Sequence, residues 1–166
     1  SLFFSLQRLC FGEYIDSTSY IYDSKNNLIE KTYIPIVSNI SDCGIQTNIW
    51  KTTYQNDSKN KLIRYSYFLN GNLRDQWNYE YDSNNNLVEE TIYGKLGDLH
   101  EKRIYTYDSS DNKIKKSWVS QYLTTSTSYK YDENNNLIEE NSTLESIGKT
   151  IYKYDKNNNL IEKINS

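Results

Sequence analysis

Bulky and polar residues alternate in short runs along this chain, and the runs are separated by clusters of Asp and Asn. One phrase recurs: it reads YEYDSNNNLVEE at residues 79–90, YKYDENNNLIEE at 129–140 and YKYDKNNNLIEK at 152–163. Aligning its tyrosine pair and its aspartate gives six copies, whose aspartates are Asp23, Asp57, Asp82, Asp108, Asp132 and Asp155. Self-similarity at a nearly fixed period indicates that one small structural unit is repeated.

The centre of the phrase has the composition of a tight turn. Asp accepts a hydrogen bond from the backbone two residues on, and Asn tolerates the left-handed conformation that closes a three-residue hairpin with a bulge. Hairpin turns are therefore predicted at residues 24–26, 58–60, 83–85, 109–111, 133–135 and 156–158. The residues expected to be left-handed are Asn26, Asn60, Asn85, Asp111, Asn135 and Asn158.

Counting outward from the turn predicts how the hairpin strands pair. The pairs expected in the last copy are Tyr154 with Leu160, Lys153 with Ile161, and Tyr152 with Glu162. Since side chains alternate between the faces of a strand, both tyrosines and Leu160 should share one face, and Lys153 and Ile161 the other. Neither face is purely apolar.

Further chain reversals are expected between the copies. Turn residues stand there at 41–44 (SDCG), 70–71 (NG), 95–98 (KLGD) and 146–148 (SIG), whereas the linker at 120–127 has no clear turn residue. The prediction is an all-β fold: an antiparallel β-meander of about a dozen strands in an open twisted or partly curled sheet. We expect one domain over residues 1–166, with an N-terminal strand region at 1–19 and six hairpin repeats at 20–163.

The phrase resembles the YD repeat of the Rhs family, YxYDxxGxLxxxxxxxG, with Asn in place of the usual Gly. The residues that carry the match are Tyr20, Tyr22, Asp23, Asn26 and Leu28; Tyr79, Tyr81, Asp82, Asn85 and Leu87; Tyr129, Tyr131, Asp132, Asn135 and Leu137; and Tyr152, Tyr154, Asp155, Asn158 and Leu160. The resemblance implies stacked hairpins in bacterial surface, secreted or toxin-associated proteins, the longest of which curl into toxin-holding shells. This chain is far shorter than such a shell. A weaker resemblance, to MORN-type repeats, is confined to YFLNGNLRDQWNYEY at 67–81.

Composition and charge narrow the function classes. A mean hydropathy of −0.85 is typical of disordered chains, but 17 Tyr and 3 Trp supply the bulky side chains of a folded, polar protein. A net charge of −3 disfavours nucleic acid as a partner. The apolar stretch at residues 1–12 is too short to span a membrane, and it is either an ordinary first strand or the tail of a secretory signal. Cys10 and Cys43 either form one disulfide or remain free thiols.

No combination of residues indicates catalysis, so we expect no enzyme, no cofactor and no catalytic residue. His100 is the single histidine and is expected in a solvated loop beside Asp98 and Glu101. The acidic stretch at 132–136 spaces its oxygen atoms like the start of a calcium loop. However, Leu137 stands where such a loop needs Gly, and a hairpin turn explains the same residues. No metal site is expected.

The aromatic residues are the candidates for a binding surface. Eleven of the 17 tyrosines belong to the repeated phrase, where a cross-strand ladder explains them, so the expected anchors lie mainly outside it. The candidate binding residues are Trp50, Trp77, Trp118, Tyr93 and Tyr122. The leading hypothesis is a non-enzymatic structural or protein-binding module of a bacterial cell-surface or secreted assembly. The alternatives are a glycan-binding module, with a Trp- and Tyr-lined groove rimmed by Asn or Asp, and a fragment of a toxin-enclosing shell. The oligomeric state is left open.

Tyr131 and Tyr154 separate a structural from a ligand-binding role for the repeated tyrosines. If they hold the sheet together, they should be substantially buried, and replacing either by Ala should cost about 3 kcal/mol or more in stability. Thermal melts of the two variants measure this. Unchanged melting of both would contradict the structural role, and weakened sugar binding by such variants would instead indicate a glycan platform.

Overall fold

A computed structural model describes residues 14–37 and 48–166, which form twelve β-strands and no helix. The strands are β1 (Tyr14–Tyr22), β2 (Leu28–Val37), β3 (Trp50–Asn56), β4 (Leu62–Leu69), β5 (Asn72–Tyr81), β6 (Leu87–Tyr93), β7 (Leu99–Tyr107), β8 (Lys113–Ser120), β9 (Thr124–Tyr131), β10 (Leu137–Ser142), β11 (Lys149–Tyr154) and β12 (Leu160–Asn165). They lie in one sheet in chain order, each antiparallel to the next. The predicted antiparallel β-meander is confirmed.

Some of the sequence predictions fall outside the described residues. These are the reversal at 41–44, Cys10, Cys43 and the apolar stretch at residues 1–12. Of the predicted N-terminal strand region, residues 14–19 belong to β1.

All six predicted hairpin turns are confirmed. The residue expected to be left-handed has a φ angle between 62° and 74° in every copy. In the last copy, the backbone N–H of Asn158 donates to the carbonyl oxygen of Asp155 at 3.0 Å. The Asp155 carboxylate accepts the N–H groups of Asn157 and Asn159 at 2.8 and 2.9 Å, and the Asn159 side-chain amide at 3.0 Å. The aspartate therefore organises its own turn, which is why Asp occupies this position in all six copies.

Every hairpin also contains a one-residue bulge that the predicted pairing did not include. The β-branched residue six positions after each aspartate is left without a cross-strand partner; these residues are Ile29, Ile63, Val88, Ile114, Ile138 and Ile161. In the last copy Tyr154 does pair with Leu160. Beyond the bulge, Lys153 pairs with Glu162, and Tyr152 pairs with Lys163. The predicted pairs Lys153–Ile161 and Tyr152–Glu162 are wrong, because two residues of one strand oppose one of the other at a bulge.

The reversals between the copies have several forms. Asn70 and Gly71 both have positive φ angles, of 52° and 78°, as expected for a two-residue hairpin turn. The linker without a clear turn residue turns at 120–123, where the Ser120 hydroxyl accepts the N–H of Leu123 at 3.1 Å. Residues 94–98 adopt the turn of the repeated phrase, with Gly97 at a φ of 77° and a bulge at His100.

In four of the six copies, the hydroxyl group of the second tyrosine of the phrase joins its hairpin to the preceding one. This hydroxyl donates to the backbone carbonyl oxygen of the residue that begins the second strand of the preceding hairpin. The pairs are Tyr81 to Leu62 (3.0 Å), Tyr107 to Leu87 (2.9 Å), Tyr131 to Lys113 (2.9 Å) and Tyr154 to Leu137 (3.0 Å). The acceptor immediately precedes the bulge, so the tyrosine satisfies a carbonyl group where the regular ladder is interrupted.

A second set of hydrogen bonds runs along the sheet edge on which the six turns stand. The side-chain amide four positions after the aspartate donates to the left-handed residue of the next turn. The pairs are Asn27 to Asn60 (3.2 Å), Asn86 to Asp111 (2.7 Å), Asn112 to Asn135 (2.9 Å) and Asn136 to Asn158 (3.1 Å). At the remaining junction Lys61 Nζ donates instead to the backbone oxygen of Asn85 at 2.8 Å. We call this set the turn row.

The sheet has a single layer and no hydrophobic core in the described ranges. The residues buried there are polar: Ser66, Thr91 and Thr150, with exposed fractions of 4%, 6% and 9%. Tyr131 and Tyr154 are half-buried, so the expectation of substantial burial was too strong. An Ala at either position should cost about 2 kcal/mol, made up of one hydrogen bond and partly buried ring contacts.

The second copy of the phrase provides a test, because Asn56 stands where the other copies have their second tyrosine. A pocket of about 390 Å³ opens there, between Ile29 and Tyr54. We expect Asn56→Tyr to fill this pocket, to donate to the Leu28 carbonyl oxygen, and to stabilise the protein by about 1–2 kcal/mol. Asn56→Phe, which lacks the hydroxyl, should stabilise it less. Urea unfolding of both variants measures the difference, and equal stability of the two would contradict the hydroxyl's role.

Acid should weaken the turns. Hydrogen bonds from Asn27, Asn136 and Asn159 lower the pKa values of Asp23, Asp132 and Asp155, respectively. A carboxylate with a lowered folded-state pKa stabilises the protein above its unfolded-state pKa of about 3.9, and this stabilisation is lost as the pH falls through the folded-state value.

We therefore expect the urea midpoint to fall as the pH is lowered from about 5 to about 2. The control variant Asp132→Asn, which has no charge to lose at that turn, should show a smaller fall. A midpoint that does not depend on pH over this interval would contradict the assignment.

Candidate functional site

One face of the sheet carries the tyrosines of all six phrases, and we call it the tyrosine face. The residues paired with the first tyrosines are, in chain order, Lys31, Tyr65, Glu90, Lys116, Glu140 and Lys163. Lys163 lies 5.5 Å from the ring centre of Tyr152, and Tyr152 donates through its hydroxyl to Glu140 at 3.0 Å. The aromatic rings of this face are therefore interleaved with charges of both signs.

The structure brings three of the five candidate binding residues to this face. Trp50, Trp77 and Trp118 follow the side-chain alternation of the tyrosines in β3, β5 and β8. Tyr93 pairs with Gln76 and lies on the opposite face. Tyr122 lies in the turn at 120–123 and is 88% exposed. The five residues therefore do not form one surface.

The tryptophans differ in their surroundings. Trp77 lies edge-on to Tyr65, with ring centres 4.9 Å apart, and Tyr65 lies edge-on to Tyr54 at 5.5 Å. This row of three rings packs across neighbouring strands and has a structural role. Trp50 is 41% exposed near one end of the sheet, 6.0 Å from the ring of Tyr67. Trp118 lies in β8, in a different environment.

Trp118 belongs to a charged network at the centre of the tyrosine face. Its indole N–H donates to Glu101 Oε2 at 3.0 Å. Arg103 bridges Glu101 and Glu90, with Nη1 2.9 Å from Glu90 Oε2. Burial alone would lower the pKa of Arg103, but the charge and hydrogen bond of Glu90 raise it overall. Partial burial, followed by the charge of Glu90, raises the pKa of Tyr105. The arginine is thus held as a fixed cation and the tyrosine as a neutral donor.

A concave site of about 320 Å³ adjoins this network. Trp118 and Tyr129 supply its aromatic walls, and Lys116 and Arg103 supply its cations. The remaining lining residues carry hydroxyl or apolar side chains: Thr125, Thr127, Ser142, Leu144 and Ile147. An aromatic surface beside cations and hydroxyl groups suits an apolar side chain next to a carboxylate or carbonyl group.

The opposite face carries regularly spaced ion pairs. Each ion pair joins the glutamate seven positions after one aspartate of the phrase to the lysine six positions before the aspartate of the next phrase. The pairs are Glu30–Lys51 (2.6 Å), Glu89–Lys102 (2.6 Å) and Glu139–Lys149 (3.1 Å). These groups are partly exposed, so each pair contributes little stability. The two faces thus differ in chemistry: one is aromatic with a central charged network, and the other is lined by ion pairs.

His100 lies in β7 and not in a loop, at the bulge after the 94–98 turn. Its Nε2 is 3.0 Å from Asp98 Oδ2, and its side chain is half-exposed. Among residues 14–37 and 48–166, no group of three His, Cys, Asp or Glu side chains is placed to hold a metal ion. Within the same ranges, no helical segment has the length and hydropathy needed to span a lipid bilayer.

Sequence reasoning missed the network of Glu90, Glu101 and Arg103. Its members are brought together by the register between β6 and β7, which depends on the bulge at His100. The sequence does contain a pattern that predicts this bulge. The stretch YGKLGDLHEK at 93–102 resembles the repeated phrase, with Gly97 at the left-handed position. Recognising it would have placed Glu101 beside Ile92, and Arg103 beside Glu90.

Comparison with known proteins gives the fold but no family. No protein-family model matches the chain, and no curated protein matches it. Among solved structures, a porin-like protein from Bacteroides uniformis ATCC 8492 superimposes with a TM-score of 0.50 at 12% identity, over 92% of this chain and 83% of that one. This likeness shows the fold alone. The TcdB2–TccC3–Cdc42 complex matches with a TM-score of 0.40 at 11% identity, over 86% of this chain and 9% of the other.

Proposed function

We propose that this chain is a non-enzymatic structural and protein-binding module of a bacterial cell-surface or secreted assembly. The observation that carries the proposal is the tyrosine face, a broad aromatic surface that remains partly exposed in a single-layer sheet. Tyr, Trp and Arg, which this face presents together, are enriched in protein interaction sites. The bacterial surface or secreted location follows from the resemblance of the phrase to YD repeats.

The concave site beside Trp118 is the proposed point of contact. Aromatic residues and arginine are enriched where binding energy concentrates, and both are present here, with Arg103 held in place by two glutamates. Lys116 adds a cation at the same concavity. The partner that fits is a protein segment that presents an apolar side chain and an adjacent carboxylate.

A glycan partner is less well supported. A sugar-binding groove would combine aromatic platforms with Asn or Asp side chains that bind the hydroxyl groups. Trp118 and Tyr129 supply the platforms, but no Asn or Asp lines this concavity. The asparagines of the repeated phrase lie instead in the turn row, bonded to one another along the sheet edge.

Lys115 and Lys116 provide a matched pair for testing the proposal. They are neighbours in β8 but point to opposite faces, since Lys116 pairs with Tyr105 and Lys115 pairs with Thr106. A photo-crosslinking amino acid placed at either position, in cells that produce the chain, samples one face at a time. We expect cross-links to a defined protein from position 116 and few from position 115. Trp118→Ala should abolish them while the variant remains folded at the temperature of the experiment, which its melting curve checks.

Other outcomes of this experiment would count against the proposal. Equal cross-linking from both positions would contradict a specific tyrosine-face contact. Cross-links from position 116 to polysaccharide, weakened by Trp118→Ala, would favour the glycan alternative. Fractionation of the same cells tests the location, because recovery of the chain only from the cytoplasm would contradict a surface or secreted assembly.

A further inference from the structure

The first and last strands that the structure describes, β1 and β12, carry repeat residues that are much more exposed than their equivalents inside the sheet. In the described ranges β1 pairs only with β2, and β12 only with β11. At the β12 edge Leu160 is 53% exposed and Ile161 65%, and at the β1 edge Tyr22 is 54% exposed. Edge strands of this kind present unpaired backbone groups to any strand of matching pattern.

The register at which one hairpin joins the next is the same at all five junctions inside the sheet. The residue seven positions after one aspartate always pairs with the residue four positions before the next. The pairs are Glu30–Thr53, Arg64–Asn78, Glu89–Ile104, Lys115–Ser128 and Glu139–Ile151. The constant register defines how a further hairpin would pair with β12. The residue four positions before the aspartate of that hairpin would lie opposite Glu162.

Strand β1 carries nearly the same sequence as a strand that already makes such a junction. Residues 17–23 read STSYIYD, and residues 126–132 read STSYKYD. The second of these belongs to β9, which pairs with β8 in the register described above. In that junction Lys116 of β8 faces Thr127. In a junction of the same register, Lys163 of β12 would face Thr18.

We propose that the β12 edge of this chain binds the β1 edge of a second copy, which extends the sheet head to tail. Glu162 then pairs with Ser19 of the second copy, and Lys163 pairs with Thr18. The hydroxyl group of Tyr22 from the second copy donates to the Leu160 carbonyl oxygen, as Tyr154 does to Leu137 within the chain. The Asn159 side-chain amide donates to Asn26 and continues the turn row.

The number of strands allows this arrangement. With twelve alternating strands, β1 of a second copy runs antiparallel to β12, as every neighbouring pair does. The two contacting surfaces are different edges of the molecule, so the interaction does not close on itself and produces open chains of copies. The inference concerns the edges of the sheet and is independent of what the tyrosine face binds.

Sedimentation velocity at protein concentrations from about 1 μM to about 1 mM tests the proposal. We expect the wild-type sedimentation coefficient to rise with concentration through a series of oligomers. Ile161→Lys places a charge where the bulge residue meets the next hairpin, and Tyr22→Asn reproduces the residue found at position 56. Each should weaken association by about tenfold or more, the effect of losing roughly 1.4 kcal/mol. Leu96→Lys, at an apolar residue in the 94–98 turn that is even more exposed than Ile161, is the control and should associate like the wild type.

Mixing the two edge variants tests the head-to-tail direction. Ile161→Lys retains an intact β1 edge and Tyr22→Asn retains an intact β12 edge, so an equimolar mixture should form dimers and no longer chains. A wild-type chain that remains monomeric at all concentrations would overturn the proposal. So would equal weakening by Leu96→Lys, or full association of Tyr22→Asn alone, which would indicate pairing of two β12 edges.

Discussion

The sheet depends on hydrogen bonds that join one hairpin to the next, because it has no second layer to pack against. In each turn the aspartate organises its own loop. In most copies the asparagine four positions after it donates to the following turn, and the tyrosine that precedes it donates to the preceding hairpin. The aspartate, the asparagine and the tyrosine of the phrase thus make three different sets of hydrogen bonds. Isolated hairpins are marginal in water, and these contacts couple twelve strands into one unit.

The same arrangement explains why so polar a chain folds, and why it offers a binding face. Partly buried tyrosines, cross-strand lysines and ion pairs replace a hydrophobic core within the described ranges. Both faces are therefore open to water and available to a partner. Where the phrase has Asn56 in place of the tyrosine, a pocket lined by this residue lies at the first junction. The concavity beside Trp118 has a different origin, because it adjoins the network centred on Arg103.

How far the sequence predicts this structure depends on how local each feature is. The six turns were predictable because Asp and Asn side chains bond within five residues of chain, as Asp155 does with Asn159. The strand order followed from the short connections. The bulge at Ile161 was not predicted, because it shifts pairing without any marker of its own, and it changed the partners of Lys153 and Tyr152. A bulge of the same kind at Val88 turns Tyr93 to the other face. The register between β6 and β7, which brings Arg103 to Glu90, depends on the bulge at His100 after the connecting turn.

The central claim is that the tyrosine hydroxyl groups join the hairpins, and simultaneous Tyr→Phe replacement at positions 81, 107, 131 and 154 tests it most directly. Each replacement removes one cross-hairpin hydrogen bond, worth about 1 kcal/mol, and leaves the ring in place. We predict that urea unfolding of the fourfold variant shows a loss of about 4 kcal/mol. The control, Tyr79→Phe, changes a tyrosine of the same face that is not one of the four hydroxyl donors and should leave the stability nearly unchanged. A fourfold variant as stable as the wild type would contradict the claim.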